Sequence, residues 1–507
     1  MKLSKIQSSC LASLAGALLT LSFAPFNLYL LAFIALGALF YLWTNSNPRQ
    51  TFFYSLLFGV FFFGTSTSWI HISIHQFGHA PLSLSIALTV LMTLLLSLFY
   101  ALNGYIINKL AGQASLLQKN LLLYPSSWVL FEWLRAHALF NGFPWLLLGY
   151  TQTNTLLNSF APWFGVFGLS LLACLISGAL SCTIQSTSRS TKLLCCVATL
   201  CLFSTALLLK PLKFTHAIRS QRVVLIQGNI TQSIKWQPEE LEQTLQHYYQ
   251  LTETVKEPSL IVWPEGAVPT YVEWIPGYIA DLNQLLATTN STLLFGCPLF
   301  DKKTQRYFNG LILTGEHRGQ YRKQHLVPFG EYFPLHRISA MILKLIHMPP
   351  SGYSSGSNRQ APLELNGYKV ATFICYEIAY PNLVLNQTRN KQMIVVISDD
   401  SWFGNSIALN QQLQMTTMRA LETQRYVLAS NNTGITAIID PQGRVLKQAP
   451  INQTGIISDT VHAMAGNTPL MRWGYWPVWL SCLLMFLIGT LKQKRKEHEN
   501  TRTRKQS

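Results

Sequence analysis

Residues 369–381 read Lys369-Val-Ala-Thr-Phe-Ile-Cys-Tyr-Glu-Ile-Ala-Tyr-Pro381, a short apolar run that ends on a thiol followed by an acidic residue. The run has the length and composition of a β-strand, which predicts that a strand delivers Cys375 to a turn. A rigid strand fixes the position of a nucleophile while the turn exposes it. The alternative is a buried cysteine that packs as a small hydrophobic side chain.

Two further stretches carry residues that suit a thiol nucleophile. The apolar run 260–264 leads to Glu265, and the Pro- and Gly-rich loop 321–334 carries Lys323 and Glu331. Each carboxylate or lysine alone is more typical of a solvated residue. Together, Glu265, Lys323 and Cys375 supply the base, the cation near the oxyanion and the nucleophile that acyl transfer through sulfur requires. A neighbouring ammonium is also expected to increase the thiolate fraction of the cysteine.

The composition is too apolar for a single soluble domain. Of 507 residues, 49% are hydrophobic and only 12% are charged, which places part of the chain in lipid. Eight apolar runs approach the length of about 20 residues that spans a bilayer, and the first is interpreted as a retained span because it lacks a convincing cleavage site. The runs lie at 8–24, 27–44, 52–70, 82–102, 120–138, 160–183, 193–210 and 474–491.

The distribution of positive charge predicts the orientation of these spans. The predicted cytoplasmic loops carry Arg49, then Lys109 and Lys119, then Arg189 and Lys192, whereas the opposite loops 71–81 and 137–159 contain no Lys or Arg. By the positive-inside rule both termini are cytoplasmic. The chain thus divides into a transmembrane domain at 1–210 with seven spans, an external domain at 211–473, an eighth span at 474–491 and a basic cytoplasmic tail at 492–507.

The net charge of +17 does not indicate a nucleic-acid partner. Seven of the 38 Lys and Arg residues lie in the tail 492–507, where they read as a cytoplasmic anchor. Outside this tail the sequence has no nucleic-acid-binding motif and no basic face interleaved with aromatic residues.

The external segment alternates strand-like and helical patterns, as an α/β domain does. Apolar residues at helical spacing predict helices at 238–256, 277–289 and 408–425, and Asp440-Pro-Gln-Gly443 predicts a turn between two strands. The strand-like runs lie at 222–227, 259–263, 292–296, 310–314, 369–374, 393–398, 436–439 and 455–459.

These stretches also carry a family resemblance. A glutamate after a strand and Trp-Pro, a lysine in a Pro/Gly loop and a cysteine before Tyr-Glu are similar to the Glu-Lys-Cys triad of the nitrilase, or carbon–nitrogen hydrolase, superfamily. Eight spans around one such external domain resemble the bacterial apolipoprotein N-acyltransferases over essentially the whole chain. Supporting stretches are Phe131-Glu-Trp-Leu-Arg135 with Gly142-Phe-Pro-Trp145, Gln227-Gly-Asn-Ile230 with Trp236, and Thr468-Pro469 with Arg472.

The resemblance implies an αββα-layered periplasmic catalytic domain on a multi-pass protein of the bacterial inner membrane. It further implies a ping-pong reaction: Cys375 takes an acyl chain from a phospholipid, typically phosphatidylethanolamine, as a thioester and passes it to the α-amine of the S-diacylglyceryl cysteine of an apolipoprotein. No cofactor or metal is implied. The implied roles are general base for Glu265, stabilisation of the tetrahedral intermediate for Lys323, support for Glu331 and Glu377, and lining of the lipid pocket for Trp236.

Three features have competing interpretations. Gly352-Tyr-Ser-Ser-Gly356 matches the nucleophile elbow of serine hydrolases around Ser354, but the flanking sequence does not predict the strand and helix that an elbow needs. His71, His75 and His79 are spaced for a zinc site on one helical face, although Gly78 and Pro81 favour hydrogen-bonded histidines outside a continuous helix. Cys297 and Cys375 are the two cysteines of the polar region, and we expect free thiols because a disulfide between them would silence the nucleophile.

Two membrane-related features also remain open. Glu132 and Arg135 lie three residues apart near the outer end of the fifth span, where charge is costly unless paired; they pair with each other, or Arg135 holds a phospholipid headgroup or orients the external domain. Residues 335–348 form an amphipathic pattern that predicts either an arm dipping into the outer leaflet to gate lipid entry or an ordinary core helix.

Two other functions fit part of the sequence. One is a membrane-anchored, nitrilase-like amidase that hydrolyses a small amide, and the other is a transporter whose external domain only binds ligand. A soluble amidase has no need of eight spans, whereas two lipid-anchored substrates do. Few ionisable residues lie deep in the spans and no paired broken helices are evident, which weighs against transport.

Overall fold

The computed structural model describes residues 3–138, 141–332 and 352–490, and these residues form two compact units. The first unit holds the described residues up to His75, from Pro81 to Leu212 and from Trp473 onward; the second holds Gln76–Ala80 and Lys213–Arg472. The amphipathic pattern at 335–348 and the basic tail at 492–507 lie outside the described residues.

The first unit is helical, and a helix occupies most of each predicted apolar run. Several helices start at strong N-terminal signals: Ser4 and Asn47 each form a reciprocal capping box with a glutamine three residues later, and Pro48 occupies the first turn after Asn47. The main helices are Lys5–Thr20, Leu30–Thr44, Pro48–Ser66, Leu82–Ala111, Tyr124–His137, Ala161–Gln185, Arg189–Leu209 and Trp476–Thr490.

Small residues let these helices approach closely. A Cβ atom added to Gly16 would collide with the backbone of Phe58, and one added to Gly104 would collide with the side chain of Ser55. Both contacts fall on the helix Pro48–Ser66, whose backbone at Phe58 and side chain at Ser55 lie directly against glycines of two neighbouring helices. This kind of packing is typical of helices that associate in lipid, where small residues replace the hydrophobic effect as the basis of association.

The described helices support fewer spans than the sequence predicts. By length and composition, Leu82–Ala111, Leu156–Gln185 and Arg189–Leu209 can cross a membrane, and the pair Pro48–Ser66 and Ile70–Phe77 makes a fourth span if its 57° bend is counted as one broken span. Leu30–Thr44 and Trp476–Thr490 are shorter apolar helices. Several apolar helices thus give the unit the character of a membrane-associated domain.

The second unit contains two six-stranded mixed sheets. The strands are β1 His216–Gln227, β2 Leu260–Val262, β3 Thr292–Asp301, β4 Arg306–Gly315, β5 Gly319–Arg322, β6 Leu363–Leu365, β7 Tyr368–Ile374, β8 Met393–Ser398, β9 Val427–Asn431, β10 Ala437–Ile439, β11 Val445–Gln448 and β12 Gly455–Ala465. The first sheet has the strand order β12-β1-β2-β3-β4-β5, and the second has the order β11-β10-β9-β8-β7-β6. Strands β1, β2 and β3 run parallel, as do β7, β8 and β9, while the remaining pairs are antiparallel.

Buried side chains from the two sheets form three clusters. One cluster joins residues of both sheets, among them Val262 of β2 and Val395 of β8. A second joins the first sheet to the helices Leu241–Glu253 and Pro276–Thr288, and a third joins the second sheet to the helices Pro381–Thr388 and Ala408–Thr423. Each sheet is therefore apolar on both faces, which explains why the sequences of β2, β7 and β8 are mostly hydrophobic without a polar–apolar alternation.

All eight strands predicted for this unit are present, and all three predicted helices begin and end within three residues of their predicted bounds. The turn at 440–443 joins β10 to β11 as an antiparallel hairpin. Four strands were missed: β5, β6, β9 and β11. They are three to five residues long, and three of them lie at or next to the edge of a sheet.

Candidate active site

Cys375 lies directly after β7, where the sequence pattern predicts a turn. Strand β7 pairs in parallel with β8, with Ile374 opposite Ile397. Cys375 and Ser398 therefore lie side by side at the carboxyl ends of these two strands. Cys375 has a φ of +54°, a left-handed conformation that is uncommon for residues other than glycine, asparagine and aspartate. Both Cys375 and Cys297 are free thiols, as expected.

Glu265 lies in the turn that follows β2, and a close backbone contact holds that turn. Gly296 of β3 lies against it: a Cβ atom added to Gly296 would be 2.7 Å from the Cα atom of Glu265. The carboxylate is held at both oxygens, because Oε1 accepts from Asn309 Nδ2 at 2.6 Å and Oε2 accepts from the backbone N–H of Asp399 at 3.1 Å. The base candidate therefore has a defined orientation.

Lys323 follows β5 and is only 1% exposed. Its ammonium lies 2.9 Å from Glu331 Oε1 and 3.5 Å from Glu265 Oε1. Its backbone N–H donates to the carbonyl of Asn309 at 2.8 Å. One buried cation thus lies between two carboxylates, which is the condition under which a buried lysine keeps its charge.

Glu331 orients both the lysine and the asparagine. Its Oε1 accepts from Lys323 Nζ and from Asn309 Nδ2, the latter at 2.6 Å, while its Oε2 accepts from the backbone N–H of Val327 at 2.8 Å. Asn309 therefore bridges the carboxylates of Glu265 and Glu331. This arrangement fits the supporting role implied for Glu331 by the family resemblance.

Burial and neighbouring charges both act on the pKa values of Lys323 and Cys375. Burial alone would lower the pKa of Lys323, but Glu265, Glu331 and Cys375 together raise it well above its ordinary value. Burial, followed by the charge of Glu265, raises the pKa of Cys375 well above its ordinary value, although Lys323 and a hydrogen bond from Ser398 act in the opposite direction. The Lys323 ammonium therefore favours the thiolate, as the sequence predicts, but burial and the charge of Glu265 outweigh it, so the resting sulfur keeps its proton and must lose it as it reacts.

Glu377 is fully buried and does not touch the ammonium of Lys323. Its carboxylate accepts from the backbone N–H groups of Gln324, His325 and Ile374, and from the hydroxyl of Tyr321. Burial raises its pKa to about 7. It therefore joins the residues after Lys323 to the residue before Cys375, and so fixes the distance between the loop and the strand end.

Other predicted site residues lie elsewhere or have other partners. The side chain of Trp236 is 49% exposed, as a residue lining an open pocket can be. Ser354 lies in a loop, and no helix follows it in the described residues before β6, so it lacks the setting of a nucleophile elbow. His71 and His75 lie in a short helix and a π-turn, His79 has a φ of +50°, and among the described residues no three His, Cys, Asp or Glu side chains are grouped to hold a metal ion.

Glu132 and Arg135 are both fully buried in the first unit. Arg135 donates to the backbone carbonyls of Phe143 and Trp145, each at 2.7 Å, and the carboxylate of Glu132 accepts from the backbone N–H of Leu148 at 2.7 Å. The described ion pairs do not join them directly, so the expected mutual salt bridge is wrong. Instead, the two side chains hold one irregular loop, which satisfies backbone groups that the interior of the unit would otherwise leave unpaired.

Three contributors to the site were missed from the sequence. Asn309 lies in the middle of β4 and bridges two carboxylates, while Lys235 and Asp399 form a buried ion pair beside Glu265. Asp399 carried a usable signal, because it follows the apolar strand β8 just as Glu265 follows β2. Lys235 and Asn309 carried no such signal, since their partners are distant in sequence.

Two protein-family models match successive parts of the chain. The model of the apolipoprotein N-acyltransferase N-terminal domain matches residues 15–179, and the carbon-nitrogen hydrolase model matches residues 222–469. A carbon–nitrogen hydrolase superfamily structure from Xanthomonas campestris is 16% identical, with a TM-score of 0.38, covering 52% of this chain and 97% of its own.

Two curated relatives extend over nearly the whole chain. The apolipoprotein N-acyltransferase of Coxiella burnetii is 42% identical over 484 residues, which cover 95% of this chain and 99% of that protein. The apolipoprotein N-acyltransferase of Methylococcus capsulatus is 37% identical over 474 residues, which cover 93% of this chain and 94% of that protein. With this identity over almost full length on both sides, the chain belongs to the apolipoprotein N-acyltransferase family.

Proposed function

We propose that the protein transfers a fatty acyl chain from a phospholipid, through a thioester on Cys375, to the α-amine of the S-diacylglyceryl cysteine that begins an apolipoprotein. The observation that carries the proposal is the meeting of one thiol, one ammonium and one oriented carboxylate in a single buried cluster. The same chain carries the N-terminal domain of the N-acyltransferase family, which a hydrolase of small amides does not need.

In the acylation step Glu265 is the general base. It accepts the proton of Cys375 Sγ as the sulfur attacks the ester carbonyl, and a C–S bond forms. The Lys323 ammonium stabilises the oxyanion of the tetrahedral intermediate. When the intermediate collapses, the C–O bond breaks, the proton passes from Glu265 to the leaving alkoxide, and a lysophospholipid departs.

In the transfer step the same groups act in the second half of the ping-pong cycle. The α-amine of the apolipoprotein attacks the thioester and loses a proton to Glu265, and Lys323 again stabilises the oxyanion. The C–S bond then breaks, the amide forms, and the proton returns to the sulfur. Every proton that leaves one substrate is returned within the cycle, so the site needs no external acid, metal or cofactor.

The supporting residues act on geometry. Glu331 holds Lys323 and Asn309, and Glu377 holds the loop after Lys323 against the end of β7. Trp236, half exposed, lines the lipid pocket. For Arg135, which is buried among loop carbonyls, a headgroup contact stays a prediction, and its observed bonds favour a structural role.

The setting of the reaction is the outer face of the bacterial inner membrane. The proposal of eight spans, two cytoplasmic termini and a periplasmic catalytic domain rests on the apolar runs and loop charges of the sequence, whereas by length and composition three or four spans are found among the described helices. The αββα layering of that domain is supported by the three clusters of buried side chains, one joining the sheets and one on the far face of each. Phosphatidylethanolamine is the proposed donor.

The test is intact mass spectrometry of the detergent-purified protein after incubation with phosphatidylethanolamine. We expect an acyl-sized mass increase on the wild type and on Cys297→Ala, the matched control thiol of the same unit, but not on Cys375→Ala. A diacylglyceryl-cysteine peptide should discharge the acyl group. A fully reduced, folded wild type that never acquires an acyl group would overturn the lipid-donor mechanism, and small amides would then be the substrates to test.

A further inference from the structure

We infer that Lys235 and Asp399 form a positioning pair for the general base Glu265, and that their charge balance sets the pH range in which Glu265 accepts the thiol proton. The inference rests on the proposed function, because it concerns the same base. Neither residue touches the reacting atoms in the proposed chemistry, so both act through Glu265.

The contacts hold Glu265 from two sides. Lys235 Nζ lies 2.5 Å from Asp399 Oδ2 and donates to the backbone carbonyl of Glu265 at 2.8 Å. The backbone N–H of Asp399 donates to Glu265 Oε2 at 3.1 Å. Lys235 thus contacts the main chain of the base, and the backbone of Asp399 contacts its carboxylate.

The pair also joins the two sheets at the site. Lys235 follows β1 and Glu265 follows β2, both of the first sheet, whereas Asp399 follows β8 of the second sheet, next to the strand that carries Cys375. Asn432, at the end of β9, donates to both oxygens of Asp399, at 3.3 and 3.2 Å. The ion pair is therefore one of the contacts that hold a base on one sheet beside a nucleophile on the other.

Burial makes this arrangement sensitive. The side chains of Lys235 and Asp399 are 3% and 5% exposed, and a Cβ atom added to Gly266 would be 3.0 Å from both Cε and Nζ of Lys235. A buried ion pair contributes little net stability compared with a well-packed neutral pair, but loss of one partner leaves an uncompensated charge. Replacing both partners by neutral residues therefore removes the ion pair without leaving an unpaired buried charge, and so separates an effect on Glu265 from a loss of stability.

The charges around Glu265 determine whether each substitution favours or disfavours the ionised carboxylate. Lys323 and Asn309 contact Oε1 directly, Glu331 shares both of those partners, and Asp400, Cys375 and Tyr353 interact with Glu265 electrostatically. Against this background the Lys235–Asp399 pair adds no net charge. Loss of Lys235 leaves an extra negative charge that disfavours an ionised Glu265, whereas loss of the Asp399 charge leaves an extra positive one that favours it.

The experiment compares Lys235→Met, Asp399→Asn and the double variant with the wild type. Two rates are measured against pH: thioester formation with phosphatidylethanolamine, and alkylation of Cys375 by iodoacetamide, quantified on the Cys375 peptide by mass spectrometry. We expect the midpoint of the acid limb to move up by about one pH unit in Lys235→Met and down by a similar amount in Asp399→Asn. The double variant should return to the wild-type midpoint, with a rate about 10- to 100-fold lower because the base is less well held.

The matched control is Glu422→Gln. Glu422 forms a fully buried ion pair with Arg419 and has no described contact with Glu265, so its loss should lower stability without moving the midpoint. A common midpoint in all variants would overturn the inference, as would shifts of the same direction in both single variants. Asp399→Asn keeps the shape of the site and supplies the downward shift even if Lys235→Met fails to fold. The two failures can be told apart. If the proposed function is wrong, the wild type forms no thioester, but the pH midpoint of Cys375 alkylation still shifts in the variants.

Discussion

Glu377→Gln is expected to make the stability of the second unit less dependent on pH. Burial raises the pKa of Glu377 from 4.5 to about 7, so the folded state holds this proton more tightly than the unfolded chain. The side chain therefore contributes its full stability below pH 4.5, and this contribution is lost as the pH rises through 7. At about 1.4 kcal/mol for each tenfold change in proton affinity, the wild type loses about 2–3 kcal/mol between pH 5 and pH 8 from this group.

The amide removes the titration but also removes acceptors. The two oxygens of Glu377 accept from three backbone N–H groups and from the Tyr321 hydroxyl, whereas a glutamine offers one oxygen and an NH₂ group that cannot accept. At least one buried N–H then lacks a partner, which costs about 1–3 kcal/mol. The variant is thus less stable than the wild type at pH 5, and the difference narrows by pH 8.

Thermal unfolding in detergent, followed by near-ultraviolet circular dichroism at both pH values, measures this difference. A unit of this size shifts its Tm by about 2–4 °C per kcal/mol, so the gap between wild type and variant should narrow by about 5–10 °C from pH 5 to pH 8. Glu364→Gln is the control, because Glu364 is exposed and pairs only loosely with Lys369, at 3.6 Å. A gap of the same size at both pH values would refute the reasoning.

Three further substitutions test the geometry of the site. Lys323→Met removes the cation proposed for the oxyanion and should slow single-turnover thioester formation by about 10²- to 10³-fold; near-normal rates would contradict that role. Gly296→Ala places a Cβ atom 2.7 Å from the Cα atom of Glu265 and should displace the base, slowing the same step, whereas Gly277→Ala, with no atom within 4 Å of its Cβ, should not. Asn309→Asp adds a third carboxylate beside Glu265 and should move the acid limb of the rate profile to higher pH; an unchanged profile would show that Asn309 does not sense the base.

The fold was predictable where burial alone decides the pattern. The strands β2 and β8 are buried at every position and β7 at every position but Lys369, so their sequences are mostly apolar runs that can be recognised without knowledge of their partners. Strand β11 is exposed at all four positions, and β5 buries only Tyr321. Such short strands form because they pair with a neighbouring strand, and that pairing depends on the tertiary structure, which the local sequence does not show.

The site divides in the same way. Glu265 and Cys375 were predictable as candidates because each follows a buried strand. Their strands belong to different sheets, so only the family resemblance implied that the two residues meet. Lys235 was not predictable, because its partner Asp399 lies 164 residues away. The i, i+3 spacing of Glu132 and Arg135 suggested that they pair with each other. Spacing along a helix does not show that backbone groups of the following loop, residues 143–148, bind both side chains instead.

The charge count explains why the thiol is neutral at rest despite the ammonium beside it. Lys323 already lies between the carboxylates of Glu265 and Glu331, so a thiolate would add a second uncompensated negative charge to a buried site. Transfer of the proton from Cys375 to Glu265 avoids this, because the charge moves from oxygen to sulfur without changing the total. The base and the nucleophile therefore act as one proton-sharing unit, and the thiolate forms only where Glu265 is held to receive the proton.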